Sequence, residues 1–355
     1  MTHLELVKKS LPEGGALLIT SNVNQRWISG FDYTDGYVFV TEKSAALITD
    51  FRYIEAAKAE ADKGFEVIMP SAMLAEIDAI ATNDGVKKIY VEEATLSLSD
   101  FERIKDKIKA AEFVAGASAI LDGFREFKDA SEIEKMKKAQ AVTDAAFSHI
   151  LGYITPDKTE IDVALELEFF MRAHGAESTA FQTIAVSGKA SSMPHGVPRN
   201  VKLEKGFFTM DFGAKVDGYC SDMTRTVVLG KADNAMRKVY ETVYAAQTSA
   251  IEAMINGERG QYKLDAIARD IINKAGYEGC FGHSLGHGVG LYIHEEPRLS
   301  PKADEKDMLK PGHVVTVEPG VYLEGLYGCR IEDMVAVLDN GIYNFTKSDK
   351  NLIEL

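Results

Sequence analysis

Acidic side chains stand in this sequence at places where a β-strand ordinarily carries apolar ones. The runs Phe208-Thr209-Met210-Asp211-Phe212-Gly213 and Tyr219-Cys220-Ser221-Asp222-Met223-Thr224 flank Asp217-Gly218, the strongest short hairpin signal available. A two-residue turn there pairs Val216 with Tyr219, Gly213 with Asp222 and Asp211 with Thr224. Side chains alternate along a strand, so Asp211 and Asp222 then face one side as diagonal neighbours. One such acid reads as a solvated face. Two carboxylates amid apolar neighbours repel unless a cation lies between them. The same pattern returns in Val315-Thr316-Val317-Glu318-Pro319-Gly320 and Gly328-Cys329-Arg330-Ile331-Glu332-Asp333. Glutamate is depleted in strands and costly to bury alone, so Glu318 and Glu332 suit a pair of oxygen ligands better than a core. Four acids on two hairpins could hold two hard divalent ions.

Histidines gather between the hairpins, in Gly282-His283-Ser284-Leu285-Gly286-His287-Gly288 and then His294-Glu295-Glu296-Pro297-Arg298. The first stretch lacks the glutamate of a zincin helix and is too glycine-rich for a stable helix, so its glycines instead let backbone approach a site closely. A fourth histidine, His195, sits in Ser191-Ser192-Met193-Pro194-His195-Gly196, which has the punctuation of a loop.

These residues need elements to hold them. Helical periodicity is expected at 131–151 and 160–174 before strands at 207–216 and 219–229, and at 235–255 and 263–275 before strands at 313–318 and 329–338. Ser131-Glu132-Ile133-Glu134 has the form of a capping box for the first helix, and Gly276 that of a C′ glycine for the fourth. The order α-α-β-β thus occurs twice, which would set two related hairpins about a pseudo-twofold axis. Upstream, β-rich runs (Ala16 to Thr20, Tyr37 to Val40, Ala45 to Thr49, Phe65 to Met69, Lys88 to Val91) alternate with helical patterns at Tyr53 to Ala61, Met73 to Ala81 and Leu98 to Lys109. That is a small α/β domain, with no GxGxxG or GxxxxGK[ST] to cradle a nucleotide. The expected division is 1–121 and 122–355, in an α/β (α+β) chain.

Composition narrows the partners. The 355 residues are 46% apolar and 26% charged, enough to bury a core, and the net charge of −14 repels phosphate backbones and anionic lipid surfaces. No apolar run approaches the length of a membrane helix, and the N-terminus lacks the blocks of a secretory signal, so the expectation is no nucleic acid, no membrane and a cytoplasmic location. Three cysteines, Cys220, Cys280 and Cys329, with no CxxC pair indicate neither a disulfide framework nor a thiolate zinc site.

Asp211, Asp222, His287, Glu318 and Glu332, in that order and context, resemble the five metal ligands of the pita-bread metallopeptidases, family M24. The phrases MDFGAKVDGYCSDMTRT, GHSLGHGVGLYIHEEPR, VEPGVY and CRIED resemble the subset that cleaves at proline, prolidase and aminopeptidase P, and MPHG resembles its mobile histidine loop. The likeness spans essentially the whole chain, with residues 1–121 resembling a creatinase-like N-terminal domain. Departures spare every expected ligand: Phe207-Phe208-Thr209 replaces a usual Asp-Leu-Val, Asn256-Gly257-Glu258-Arg259 a Pro-Gly-x-Thr, and Tyr327-Gly328-Cys329 a Gly-Gly-Val.

The resemblance implies that Asp211 and Asp222 share two divalent ions, that Glu332 bridges them, and that His287 and Glu318 complete one shell. This oxygen-rich set with one imidazole favours Mn²⁺, with Co²⁺ or Zn²⁺ possible, and two such ions lower the pKa of a water between them. It further implies Glu318 as general base, His195 and His294 at the scissile carbonyl, and His283, Tyr322 and Arg330 as support around the site. Arg298 stands where prolidases carry an arginine for the substrate's terminal carboxylate; read without the resemblance, it is a surface cation after a turn. The substrates implied are proline-containing di- or oligopeptides, with an Xaa-Pro dipeptidase favoured over aminopeptidase P, and the assembly implied is a homodimer. Metal-free creatinase-like hydrolysis, methionine aminopeptidase and a non-catalytic pita-bread peptide- or protein-binding protein are the alternatives.

Overall fold

The computed structural model describes residues 1–355, which pack as two compact units, Met1–Arg125 and Glu126–Leu355. The expected division at 121 falls inside the helix Ala117–Arg125, and the packing divides the chain after that helix.

The first unit is built on a six-stranded sheet in the order Glu66–Ile68, Ala45–Thr49, Gly36–Thr41, Gly15–Ile19, Lys88–Val91 and Glu112–Ala115. Gly36–Thr41 runs antiparallel to both neighbours, and the other three pairings are parallel. Gly15–Ile19 and Ala45–Thr49 are buried along their whole length, as strands covered on both faces must be. Leu18, Phe39, Ile48 and Ile89 meet Ile77 and Ile104 from the helices Met73–Asp84 and Leu98–Lys107 in one core. The sequence pattern does not show the helix Asn22–Ser29, because polar side chains occupy its inner face: buried Gln25 donates to the carbonyls of Ile19 and Gly36, and buried Asn24 donates to Glu92. That helix also carries the chain's one tryptophan, Trp27, buried and stacked between His3 at 4.2 Å and Phe124 at 6.1 Å.

In the second unit the helices Ala130–Tyr153 and Glu160–Ala173 lead to a three-stranded sheet of Ile184–Ser187, Gly206–Phe212 and Met223–Leu229. The helices Asn234–Ile255 and Gln261–Ile272 lead to a five-stranded sheet containing Gly286–Gly288, Val314–Val317 and Asp333–Leu338. Each half therefore repeats a helix pair followed by an antiparallel sheet, with one core under each: Phe147, Leu167, Phe208 and Phe212 in the first, Val243, Leu264, Val317 and Val335 in the second. The helix expected to start on a Ser131 box starts on Asp129 instead. Its carboxylate accepts from the amides of Ser131 and Glu132, while the Glu132 carboxylate accepts from Asp129 N. An ionised acceptor outcompetes a hydroxyl at the positive end of a helix.

The hairpin register is the expected one at Val216 to Tyr219 and Asp211 to Thr224, and Asp217 (φ 51) and Gly218 (φ 86) form the turn with positive φ at both centres. The expected long strands are broken, however. The ladder stops at Gly213 and resumes at Met223, leaving Asp222 between strands, and the strand expected at 329–338 is two, Tyr327–Arg330 and Asp333–Leu338, with Glu332 between them. An acid freed from the ladder can turn to a common point instead of standing flush on one face. Gly213 permits the first break: a Cβ there would lie 1.9 Å from the Ser221 carbonyl oxygen. No helix is long and apolar enough to cross a membrane.

Candidate metal centre

Ten of the residues singled out in the sequence line a single cavity of about 440 Å³ in the second unit: His195, Asp211, Asp222, His283, His287, His294, Arg298, Glu318, Arg330 and Glu332. Tyr322 stands behind its wall, bonded to Arg330 and His283.

The five residues that the resemblance implies as metal ligands all line this cavity. Asp211 comes from the strand Gly206–Phe212, Asp222 and Glu332 from the two ladder breaks, Glu318 from the end of Val314–Val317, and His287 from the strand Gly286–Gly288. Ligand atoms of Asp222, His287 and Glu332 lie within 4.8 Å of one another, and Nε2 of His287 is 3.5 Å from Asp222 Oδ2 and 3.4 Å from Glu318 Oε1. His287 Nδ1 lies 3.0 Å from the Gly288 carbonyl oxygen, which can only accept, so the ring proton sits on Nδ1 and the Nε2 lone pair faces the acids. Burial pushes the His287 pKa down to about 3, which keeps that lone pair free.

Hydroxyls orient the carboxylates. Thr224 donates to Glu332 Oε2 at 2.7 Å, and Thr316 donates to Glu318 Oε1 at 3.2 Å. Arg330 spans the site: its guanidinium donates to Asp211 Oδ2 (2.6 Å), Thr224 Oγ1 (3.0 Å), Tyr322 Oη (2.8 Å) and the Pro194 carbonyl (3.2 Å). Tyr322, having accepted from Arg330, donates to Nε2 of His283, whose Nδ1 proton goes to the Ser284 carbonyl. Burial and the Arg330 charge hold the His283 pKa near 4, so His283 is the neutral end of this relay.

The charge balance favours a cation. Burial raises the Asp222 and Glu332 carboxyls well above their ordinary range, with their acidic neighbours adding to it, and burial pushes Glu318 up to about 8 although Arg330 pulls the other way. Oδ1 of Asp211 is buried without a hydrogen-bond partner. Three carboxylates resisting ionisation, one orphaned oxygen and a free imidazole lone pair fit a divalent cation, and the hard oxygen donors fit one that prefers carboxylate.

The other features are less visible from sequence. Phe181, Ile184, Val197 and Ile293 form an apolar wall of the cavity, and no periodicity separates them from ordinary core residues. Thr224 and Thr316 read as strand formers. His294 is exposed, its ring 4.4 Å from that of His287, and its pKa is lowered by partial burial and by Arg298. Arg298 is also exposed, and its guanidinium forms no ion pair or hydrogen bond.

A duplicated helix-pair-and-sheet unit enclosing four carboxylates and an imidazole defines a metallopeptidase of the pita-bread type. Residues 134–339 match the description "Metallopeptidase family M24" and residues 13–127 match "Creatinase/Prolidase N-terminal domain", and the chain belongs to family M24. It is 38% identical to an Xaa-Pro dipeptidase of Pyrococcus furiosus over 355 residues, covering 99% of each chain. Among solved structures it is similar to an Xaa-Pro dipeptidase from Bacillus anthracis (TM-score 0.93, 40% identity, 99% of each chain). It is also similar to an X-Pro aminopeptidase from Thermotoga maritima (TM-score 0.91, 33% identity, 98% of this chain and all of the other).

Proposed function

We propose that this protein hydrolyses the Xaa-Pro bond of dipeptides, using two divalent ions held by Asp211, Asp222, His287, Glu318 and Glu332. The observation that carries the reading is the meeting of those five donors in a cavity whose wall also carries Arg298, a guanidinium with no partner of its own. The Xaa-Pro dipeptidases among its relatives support the substrate class. Mn²⁺ suits the donor set best, with Co²⁺ or Zn²⁺ as substitutes. The working assembly is a cytoplasmic homodimer, and the functional division is an N-terminal domain followed by the catalytic domain, with the boundary at the end of the helix Ala117–Arg125 and not at residue 121.

A divalent cation held by these five residues would polarise a carbonyl and make water acidic enough to attack near neutral pH. The residues divide the remaining work. Glu318 takes and returns the proton at Oε2, the oxygen that Thr316 leaves unbonded. His195 and His294 approach the scissile carbonyl from two loops and donate to its oxygen as charge develops there. The apolar wall accepts the prolyl ring, and Arg298 grips the free carboxylate of a C-terminal proline in a two-pronged, charge-assisted contact.

That grip separates this reading from aminopeptidase action on Xaa-Pro-Yaa peptides, which the likeness to the Thermotoga maritima enzyme favours. A contact to a charged group contributes roughly 1.5–3 kcal/mol, or about ten- to hundredfold in relative kcat/KM. Arg298→Ala is expected to erase most of the preference for Xaa-Pro over Xaa-Pro-Yaa while sparing metal content. An unaltered ratio would make Arg298 a bystander and aminopeptidase P the better description.

A further inference from the structure

The segment that presents His195 runs from a short helical turn, Gly188–Ser192, through Met193-Pro194 to Arg199, and His195 itself is exposed. An exposed side chain on a loop is held through that loop's attachments, which here are the Arg330 bond to the Pro194 carbonyl, the Gly328 amide on Ser191 Oγ, and a tether at each end. Both ends here converge on a single carboxylate from outside the loop. Glu160, in the first turn of the helix Glu160–Ala173, has no exposed surface. Its Oε1 accepts from Ser187 N (2.8 Å), Ser187 Oγ (2.9 Å) and the Arg199 guanidinium (2.6 Å). Its Oε2 accepts from Arg199 N and Arg199 Nε, both at 2.9 Å. Ser187 immediately precedes the segment and Arg199 closes it. Five donors on one carboxylate exceed what a helix needs, and the helix already has its cap: Thr159 accepts from Asp162 N, and the Asp162 carboxylate accepts from Thr159 N.

We infer that Glu160 is a positioning residue for the reaction, a clamp that closes the loop of His195 and sets where that imidazole meets the substrate. The inference rests on the reading of His195 as a group at the scissile carbonyl. Glu160 touches neither substrate nor metal ligands, so its effect must pass through the loop. Glutamine is the informative replacement, because it keeps the volume but turns an N–H₂ toward groups that are themselves donors.

The test is a double-mutant cycle on an Xaa-Pro dipeptide with Mn²⁺ present, joined to hydrogen exchange on the whole protein. Glu160→Gln should lower kcat about ten- to hundredfold, the loss that a misplacement of about 1 Å brings. KM and Mn²⁺ affinity should stay within about twofold of wild type. In a His195→Ala background the same substitution should cost less than about twofold, since the residue it positions is gone. Amide exchange over 187–199 should quicken at least about tenfold while the strands bearing Asp211 and Asp222 keep their protection. Losses that multiply in the double variant, a fall in Mn²⁺ affinity, or unaltered exchange would each overturn the clamp. If His195→Ala alone leaves turnover intact, the reading of His195 falls, and the exchange arm by itself decides whether Glu160 orders the loop. Should Glu160→Gln fail to fold, Ser187→Ala and Arg199→Met, each removing donors from the same carboxylate, take its place in the cycle.

Discussion

At the scale of single residues, the acids of the cavity stand in an arrangement that is unfavourable without its cation. Asp222 and Glu332 are buried beside other carboxylates, with Arg330 as the main opposing charge. Asp222→Asn or Glu332→Gln is therefore expected to abolish hydrolysis and lower metal content while leaving the metal-free fold as stable as wild type or more so, because each removes a repelled charge. Calorimetry with and without Mn²⁺ checks this: wild type should gain about 2.7 kcal/mol at a hundredfold excess over Kd, and the variants should gain far less. Wild-type metal content in either variant would sink the five-ligand assignment. The acids and the clustered histidines were legible in the sequence because their residue types are costly where they stand. The hydroxyls of Thr224 and Thr316, the apolar wall and Glu160 were not, since threonine in a strand, isoleucine in a core and glutamate at a helix start each satisfy an ordinary local rule.

At the scale of elements, the lesson lies in where the strands stop. Alternation predicted the hairpin pairing correctly at Asp211 and Thr224, yet could not show that the ladders break at Asp222 and Glu332, because a break is set by tertiary packing and leaves no mark on local propensity. Close backbone crossings make the breaks possible. A Cβ on Gly286 would sit 1.9 Å from the Thr316 carbonyl oxygen, so Gly286→Ala should destabilise the protein by roughly 1–3 kcal/mol and displace His287 next to it. Urea titration and a loss of metal affinity together would register this, and unaltered stability would mean the sheet yields there. The Glu160 clamp makes a second prediction, with a definite sign in pH. Burial works to raise the Glu160 pKa, but the Arg199 fork and the amides of Ser187 and Arg199 outweigh it and hold the carboxyl below its ordinary value. A depressed carboxyl contributes stability that is complete above its unfolded pKa of about 4.3 and lost as pH falls through the folded value. Arg199 keeps part of its side chain in water, so Glu160→Gln should cost on the order of 2 kcal/mol near neutrality, less than the 3–5 kcal/mol of a fully buried pair. The gap to wild type should hold down to about pH 5 and close below about pH 4; a gap that widens on acidification would contradict the assignment.

At the scale of the whole molecule, the proposed homodimer predicts twice the chain mass of 38.9 kDa in light scattering. A concentration-independent monomer with full activity would remove assembly from the account. The two units also differ in what can be seen of them. Trp27 is the chain's one indole and lies in the first unit, buried against His3 and Phe124, whereas every candidate metal ligand lies in the second. Indole emission thus carries a spectroscopic address: it follows the melting of Met1–Arg125, while stabilisation by added Mn²⁺ acts first on Glu126–Leu355. If the fluorescence midpoint climbs with the metal concentration, ion binding in one unit is holding the other together, and the chain unfolds as a single cooperative body. If it stays still while the calorimetric transition moves, the chain is two thermodynamic systems joined by a peptide bond.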